Sequence, residues 1–114
     1  MNNLATNISN NVEALKAKRF ELMNEMFDAI EHDDVETITK LICNGLDING
    51  RGRDGQTPLH VAARNNNIFI VDLLIGLGAN PNLEDIDEVS PFHESIINGH
   101  LECIKTLRKA GGEI

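Results

Sequence analysis

Apolar residues recur at helical spacing in the centre of the chain, at Ile68, Val71, Leu74 and Ile75, and the run stops at Gly76-Leu77-Gly78. A stripe of that period followed by glycine predicts an amphipathic helix with a glycine C-terminus. The same pattern returns 33 residues later, where Ile68, Val71, Leu74 and Gly78 fall on Leu101, Ile104, Leu107 and Gly111. One period earlier it gives Val35, Ile38, Leu41 and Gly45, with Ala29 in place of Ala62 and Asn49 in place of Asn82. A second, shorter helix precedes each stripe. Thr57-Pro58-Leu59-His60 returns as Ser90-Pro91-Phe92-His93, a hydroxyl N-cap followed by proline at the first helical position, where its missing N–H is not needed. These short helices end near Asn66 and Gly99, with Asp33 at the same place in the first unit, and all three residue types tolerate the left-handed backbone of a tight helix-to-helix turn.

Three helix-turn-helix units are therefore expected, joined by polar, extended excursions. Upstream, Val12, Leu15, Leu22, Met23, Met26, Phe27 and Ile30 recur at roughly helical spacing. Asn10 followed by Glu13 reads as a capping box, so the first helix is expected either to extend N-terminally or to follow a separate helix. Residues 1–11 read as a flexible tail and 12–114 as one repeat domain, with an N-terminal helix and capping repeat at about 12–50, a full repeat at about 51–83 and a C-terminal capping repeat at about 84–114.

From about residue 24 to 114 the chain resembles the ankyrin repeat family. The resemblance rests on Asp54-Gly55-Gln56-Thr57-Pro58-Leu59-His60-Val61-Ala62-Ala63, on Val71-Asp72-Leu73-Leu74-Ile75, and on Gly78-Ala79-Asn80-Pro81-Asn82. It implies an all-α repeat solenoid with short hairpin tips. Residues 24–27 read Asn-Glu-Met-Phe in place of the tetrapeptide, and Glu88 replaces Gly55, a departure that bears on the tight geometry of the second tip. Between the last two units Val61 becomes Glu94, Leu73 becomes Thr106 and Ile75 becomes Arg108. A terminal repeat needs a wettable outer face, so the third unit reads as a C-terminal cap and the chain as a whole three-repeat domain.

Composition narrows the chemistry. A chain of 114 residues suits one domain, and with no Trp or Tyr its core falls to Leu, Ile, Val and Ala. The net charge of -8 disfavours nucleic acid and anionic lipid and favours a basic partner. No apolar run reaches the roughly 20 residues that span a bilayer, and no secretory signal is evident, so a cytoplasmic location is expected. Cys43 and Cys103 form no metal or redox motif and read as free, mostly buried thiols.

His60 and His93 occupy the same place in successive units, and the family resemblance favours imidazoles that bond backbone and hydroxyl groups to lock repeats together over a two-histidine metal site. Glu84, Asp85, Asp87 and Glu88 lack the turn glycine of a calcium loop. They read as a solvated acidic tip. No nucleophile, acid-base pair or phosphate loop can be assembled, so no enzyme, no cofactor and no metal is expected.

The resemblance implies a protein partner bound through hairpin tips and a concave face. On this chain that gives Arg51, Arg53, Asp54 and Gln56 on the first tip, Glu84, Ile86, Asp87 and Val89 on the second, and Glu31, His32, Arg64, Asn65, Ile97 and Asn98 from the helices. Ile86, Val89 and Ile97 are apolar where solvent is expected. Phe69, equivalent to Glu36 and Glu102, reads either as an anchor on the opposite side or as a residue lying beneath the N-terminal segment. The expected function is a non-enzymatic interaction module, monomeric or weakly homo-oligomeric. A stoichiometric inhibitor or immunity-type protein neutralising a basic enzyme or toxin, and a unit self-associating through its N-terminal helix, are the alternatives.

Overall fold

A computed structural model describes the backbone of residues 4–113 and the side chains from Glu13 to Glu113. Six helices follow in order: α1 Leu4–Glu31, α2 Val35–Cys43, α3 Pro58–Arg64, α4 Ile68–Gly76, α5 Pro91–Ile97 and α6 Leu101–Lys109, with a single 3-10 turn at Arg53–Gly55. There is no strand among the described residues. Helices pair within units as α1 with α2, α3 with α4 and α5 with α6, while α1, α3 and α5 stack into one layer and α4 packs on α6 in the other. The array is an all-α solenoid of the expected kind.

Local chemistry fixes the turns. Thr57 and Ser90 cap α3 and α5 by accepting the amides of His60 and His93, with proline next in line. Asp34 and Asn67 cap α2 and α4 in the same manner. Asp33, Asn66 and Gly99 turn the chain between paired helices at φ 56°, 54° and 68°, and Gly45, Gly78 and Gly111 end the second helices at φ 102°, 102° and 107°. Glu88 takes φ 63° against 72° at Gly55, but Asp54 is also left-handed at φ 58° whereas its equivalent Asp87 is not, so the second tip turns differently from the first and carries a strain of about 1 kcal/mol at Glu88.

The core is continuous through the stack. Met26, Ile30 and Ile38 of the first unit, Leu59, Ile70 and Leu74 of the second, and Phe92 and Leu107 of the third are all fully buried. The polar substitutions of the third unit fall on its outer side: Glu94 and Thr106 are half-buried and Arg108 is exposed. The Arg108 guanidinium lies 5.7 Å from the centroid of Phe92, so it shields the ring that ends the core.

The first unit departs most from the expectation. α1 is one helix of 28 residues, beginning inside the stretch expected as a tail, whereas residues 1–3 lie outside the described residues. Asn10 falls inside this helix rather than at its start. Asn24 stands one period before Thr57, but the helix runs straight through it, and its buried Oδ1 has no hydrogen-bond partner. An orphaned buried acceptor costs about 1–3 kcal/mol. Asn24→Ala is therefore expected to raise stability by about 1 kcal/mol; a loss measured by urea denaturation would show that the amide is satisfied.

Candidate functional site

The two hairpin tips share a pair of backbone bonds. In the first, the Gly52 amide donates to the Gln56 carbonyl at 2.8 Å and the Gly55 amide to the Gly52 carbonyl at 3.2 Å. In the second, Asp85 donates to Val89 at 2.9 Å and Glu88 to Asp85 at 3.0 Å. The Ile86 amide also reaches the Asp54 carbonyl at 3.0 Å, tying tip to tip. The Asp85 carboxylate accepts the amides of Asp87 and Val89 at 2.8 and 3.0 Å. Burial pushes its pKa up, but those amides, the Gln56 side chain and nearby His60 outweigh it and hold the carboxyl below its ordinary value.

His60 joins the second unit to the third. The Thr57 amide donates to Nδ1 at 3.0 Å, which leaves the proton on Nε2, and Nε2 donates to the Val89 carbonyl at 2.7 Å. Burial lowers the imidazole pKa, opposed by the Val89 bond and the carboxylates of Asp85 and Glu94. His93 pairs with Ser90 at 2.8 Å. Asn49 acts in parallel: its amide nitrogen donates to the Gly78 carbonyl at 3.2 Å and its oxygen accepts the Asn80 amide at 2.8 Å. One period on, Asn82 repeats both bonds with Gly111 and Glu113, at 2.9 and 2.8 Å. Of the two histidines expected to lock repeats together, His60 does so and His93 bonds only within its own unit among the described residues; the locking is shared with an asparagine ladder that the sequence reading missed, although Asn49 and Asn82 had already aligned.

Beside the first tip, Arg53, Asp54, Gln56 and Arg64 line a groove of about 300 Å³ with Asp28 and Glu31 of α1, over a floor of Phe27 and Val61. The Arg64 guanidinium donates to Gln56 Oε1 at 3.0 Å. Four expected residues therefore come together, along with Glu31. Asp28 was missed; it lies one turn before Glu31 on the same helix face. Asn65 is the exposed C-cap residue of α3. One repeat further on, Glu84, Ile86 and Asp87 are exposed on the second tip, and Ile97 and Asn98 are exposed at the end of α5. Ile86 and Ile97 are 70% and 68% exposed.

Two positions differ from the expectation, and a third excludes one of its two readings. Arg51 lies in another groove, against α1 and the loop after α2, ahead of the 3-10 turn that carries Arg53 and Asp54. Val89 is half-buried, with its carbonyl taken by His60. Phe69 is not beneath the N-terminal segment: it stands 67% exposed on α4, in the other helix layer, as does Leu101 of α6 at 71%.

Cys103 is buried and its thiol is pushed up to about 11, first by burial and then by Asp72, whereas Cys43 is exposed rather than buried. Among the described residues no three His, Cys, Asp or Glu side chains converge to hold a metal ion. No described helix is long and apolar enough to cross a membrane.

A stack of paired helices with left-handed turns, proline-led first helices and an asparagine ladder between units defines a helical repeat protein. Residues 26–114 match the family model for ankyrin repeats in three copies, and the chain belongs to the ankyrin repeat family. Repeats of this family are generally protein–protein interaction modules and typically non-enzymatic.

Among relatives, the fowlpox virus ankyrin repeat protein FPV031 is 35% identical over 81 residues, covering 69% of this chain and 24% of that protein. Fowlpox virus ankyrin repeat protein FPV244 is 28% identical over 90 residues, 79% of this chain and 14% of its own. Human SH3 and multiple ankyrin repeat domains protein 2 is 37% identical over 76 residues, 66% of this chain and 4% of its own. The chain thus spans under a quarter of the length of each of these relatives.

Proposed function

We propose that this chain binds a basic protein partner across its hairpin tips and concave face, without catalysis, in the cytoplasm. The observation that carries the reading is Ile86, left 70% exposed among the acidic Glu84, Asp87 and Glu88 of the second tip, with Ile97 68% exposed at the end of α5 in the same unit. An apolar contact rimmed by one sign of charge gives both affinity and steering toward the opposite sign. The mixed-charge groove of Asp28, Arg53, Asp54 and Arg64 extends the surface toward α1.

Neutralising a basic enzyme or toxin is one use of such a surface, supported by the acidic tip and by a net charge of -8. Affinity purification of the tagged protein from its native cells at moderate salt should recover one basic protein. Ile86→Asp combined with Ile97→Asp should abolish that recovery while shifting stability by no more than about 0.5 kcal/mol. A partner that the double variant still captures would reject this surface.

A further inference from the structure

The face that α1 turns to the core does not stop where the stack stops. Met23, Met26, Phe27 and Ile30 are buried, while upstream Leu15 and Phe20 are 63% and 54% exposed. Phe20 precedes Met23 by three residues and Leu15 precedes half-buried Leu22 by seven, so both continue the inner face of the helix. Two cations share that face, since Lys16 and Arg19 precede Met23 by seven and four residues. Residues 13–20 are exposed throughout, and the stack leaves this face uncovered. It forms one wall of a groove of roughly 680 Å³ whose other wall is the loop after α2, with buried Met23 at the base and half-buried Leu46 opposite.

Charge says what fits there. Lys16, Lys18, Arg19 and Arg51 line the groove against a single anion, Asp47, whose carboxylate accepts the Asn49 amide at 2.9 Å. A chain of net -8 thus gathers four of its ten Lys and Arg residues round one apolar cleft. Glu21, Glu25 and Asp28, four and three residues apart, lie on the opposite face of α1 and outside the groove. The negative charge of the whole chain repels a broad anionic surface such as a lipid bilayer, whereas a short segment feels mainly the cations within a Debye length of about 8 Å. A phosphate backbone would leave Leu15, Phe20 and Leu46 without apolar cover. With no strand among the described residues, the groove offers no sheet edge, and its occupant must satisfy its own backbone. A helix does so.

We propose that this groove takes an acidic amphipathic helix of another protein, laid along the upstream half of α1. Leu15 to Leu22 spans about 10 Å of helix, room for about two turns of the partner. The apolar stripe of that helix seats on Leu15, Phe20 and Leu46, and carboxylates beside the stripe meet Lys16, Arg19 and Arg51. Groove and tips then prefer partners of opposite charge, and the chain bridges the two. Ile86 and Ile97 lie outside the groove, so either contact can fail without the other.

The chain has no Trp, so a peptide that carries one reports its own capture by fluorescence. Two helical peptides of about 18 residues serve as probes, each with leucines at helical spacing and one tryptophan, flanked in the first by glutamates and in the second by glutamines. The full chain should bind the glutamate peptide at least about tenfold more tightly, and added salt should narrow the difference. Leu15→Ala with Phe20→Ala should weaken that binding about tenfold or more and leave the melting curve unchanged, because both side chains are exposed. Lys16→Glu with Arg19→Glu should reverse the preference between the peptides, and Ile86→Asp with Ile97→Asp should leave it as it was. Equal binding of the two peptides, or none of the glutamate peptide, overturns the proposal. So does a Lys16/Arg19 variant that still prefers glutamate. Phosphatidylserine vesicles that displace the peptide would give the groove to lipid, and a native chain whose mass doubles while it excludes the peptide would give it to a second copy; either overturns the occupant named here.

Discussion

His60→Ala is expected to cost about 3 kcal/mol, and His93→Ala about 1 kcal/mol or less, although the two residues occupy equivalent places in consecutive repeats. The His60 ring is fully buried and satisfies groups in two units, the Thr57 amide through Nδ1 and the Val89 carbonyl through Nε2. Truncation leaves a cavity, a buried amide without an acceptor and a junction with one polar link fewer. His93 is half-buried, and its ring bonds only Ser90 of its own unit among the described residues. Urea midpoints at unchanged slope would measure both costs. Equal losses would mean that the bond to Val89 contributes nothing.

Acid should act through the same ring. Its folded pKa lies below the ordinary 6.5, with burial the largest cause, so the unfolded chain takes up the proton first. The contribution is present in full above about pH 6.5 and is lost as pH falls through the folded pKa. Asp34, held low by hydrogen bonds from Thr37, and Asp85 act only below 3.8, the ordinary carboxyl value. A loss of stability just under pH 6.5 that disappears in His60→Ala would identify the imidazole as its source.

Gly52→Ala is expected to cost about 2 kcal/mol through overpacking. A Cβ there would lie 2.6 and 2.8 Å from Cε2 and Cζ of Phe27 and 2.9 Å from Cγ of Met23. Phe27 stands one period before His60, and Gly52 one period before Asp85. Where the later junction uses an imidazole under a tip that admits an aspartate, the first uses a phenyl ring pressed against bare backbone. In a Phe27→Leu background the obstructing ring atoms are gone, so the added methyl should cost at least about 1 kcal/mol less. Additive losses in the double-mutant cycle would place the cause elsewhere.

The repeat was legible because its punctuation lies in the sequence: Thr57 and Ser90 before proline, Asp33, Asn66 and Gly99 at the left-handed turns, and Gly45, Gly78 and Gly111 at the helix ends. Capping residues act only where the chain turns, and this is why Asn10 misled; Asn24, one period before Thr57, is a like case. Each has N-cap chemistry, but α1 continues through both, and nothing in the residues themselves distinguishes a cap from a helical asparagine. The Phe27–Gly52 contact was readable in principle from the paired departures at equivalent positions, yet residues 24–27 were set aside for lacking the tetrapeptide.

Among the expected surface residues, the repeat period correctly grouped Arg53, Asp54, Gln56 and Arg64. It could not separate Arg51 from Arg53, because only the second lies in the 3-10 turn of the tip. Nor did it reveal that the Val89 carbonyl was already occupied.

The two junctions of this array therefore share their asparagine ladder but differ in the ring each places under the following tip. Burial of a phenyl weakens as water is cooled, whereas a neutral imidazole donating to a carbonyl is lost to protons. Chilling should loosen the molecule first between its opening unit and the second, and mild acid first between the second and the third. One short chain thus has two seams that yield to different weather.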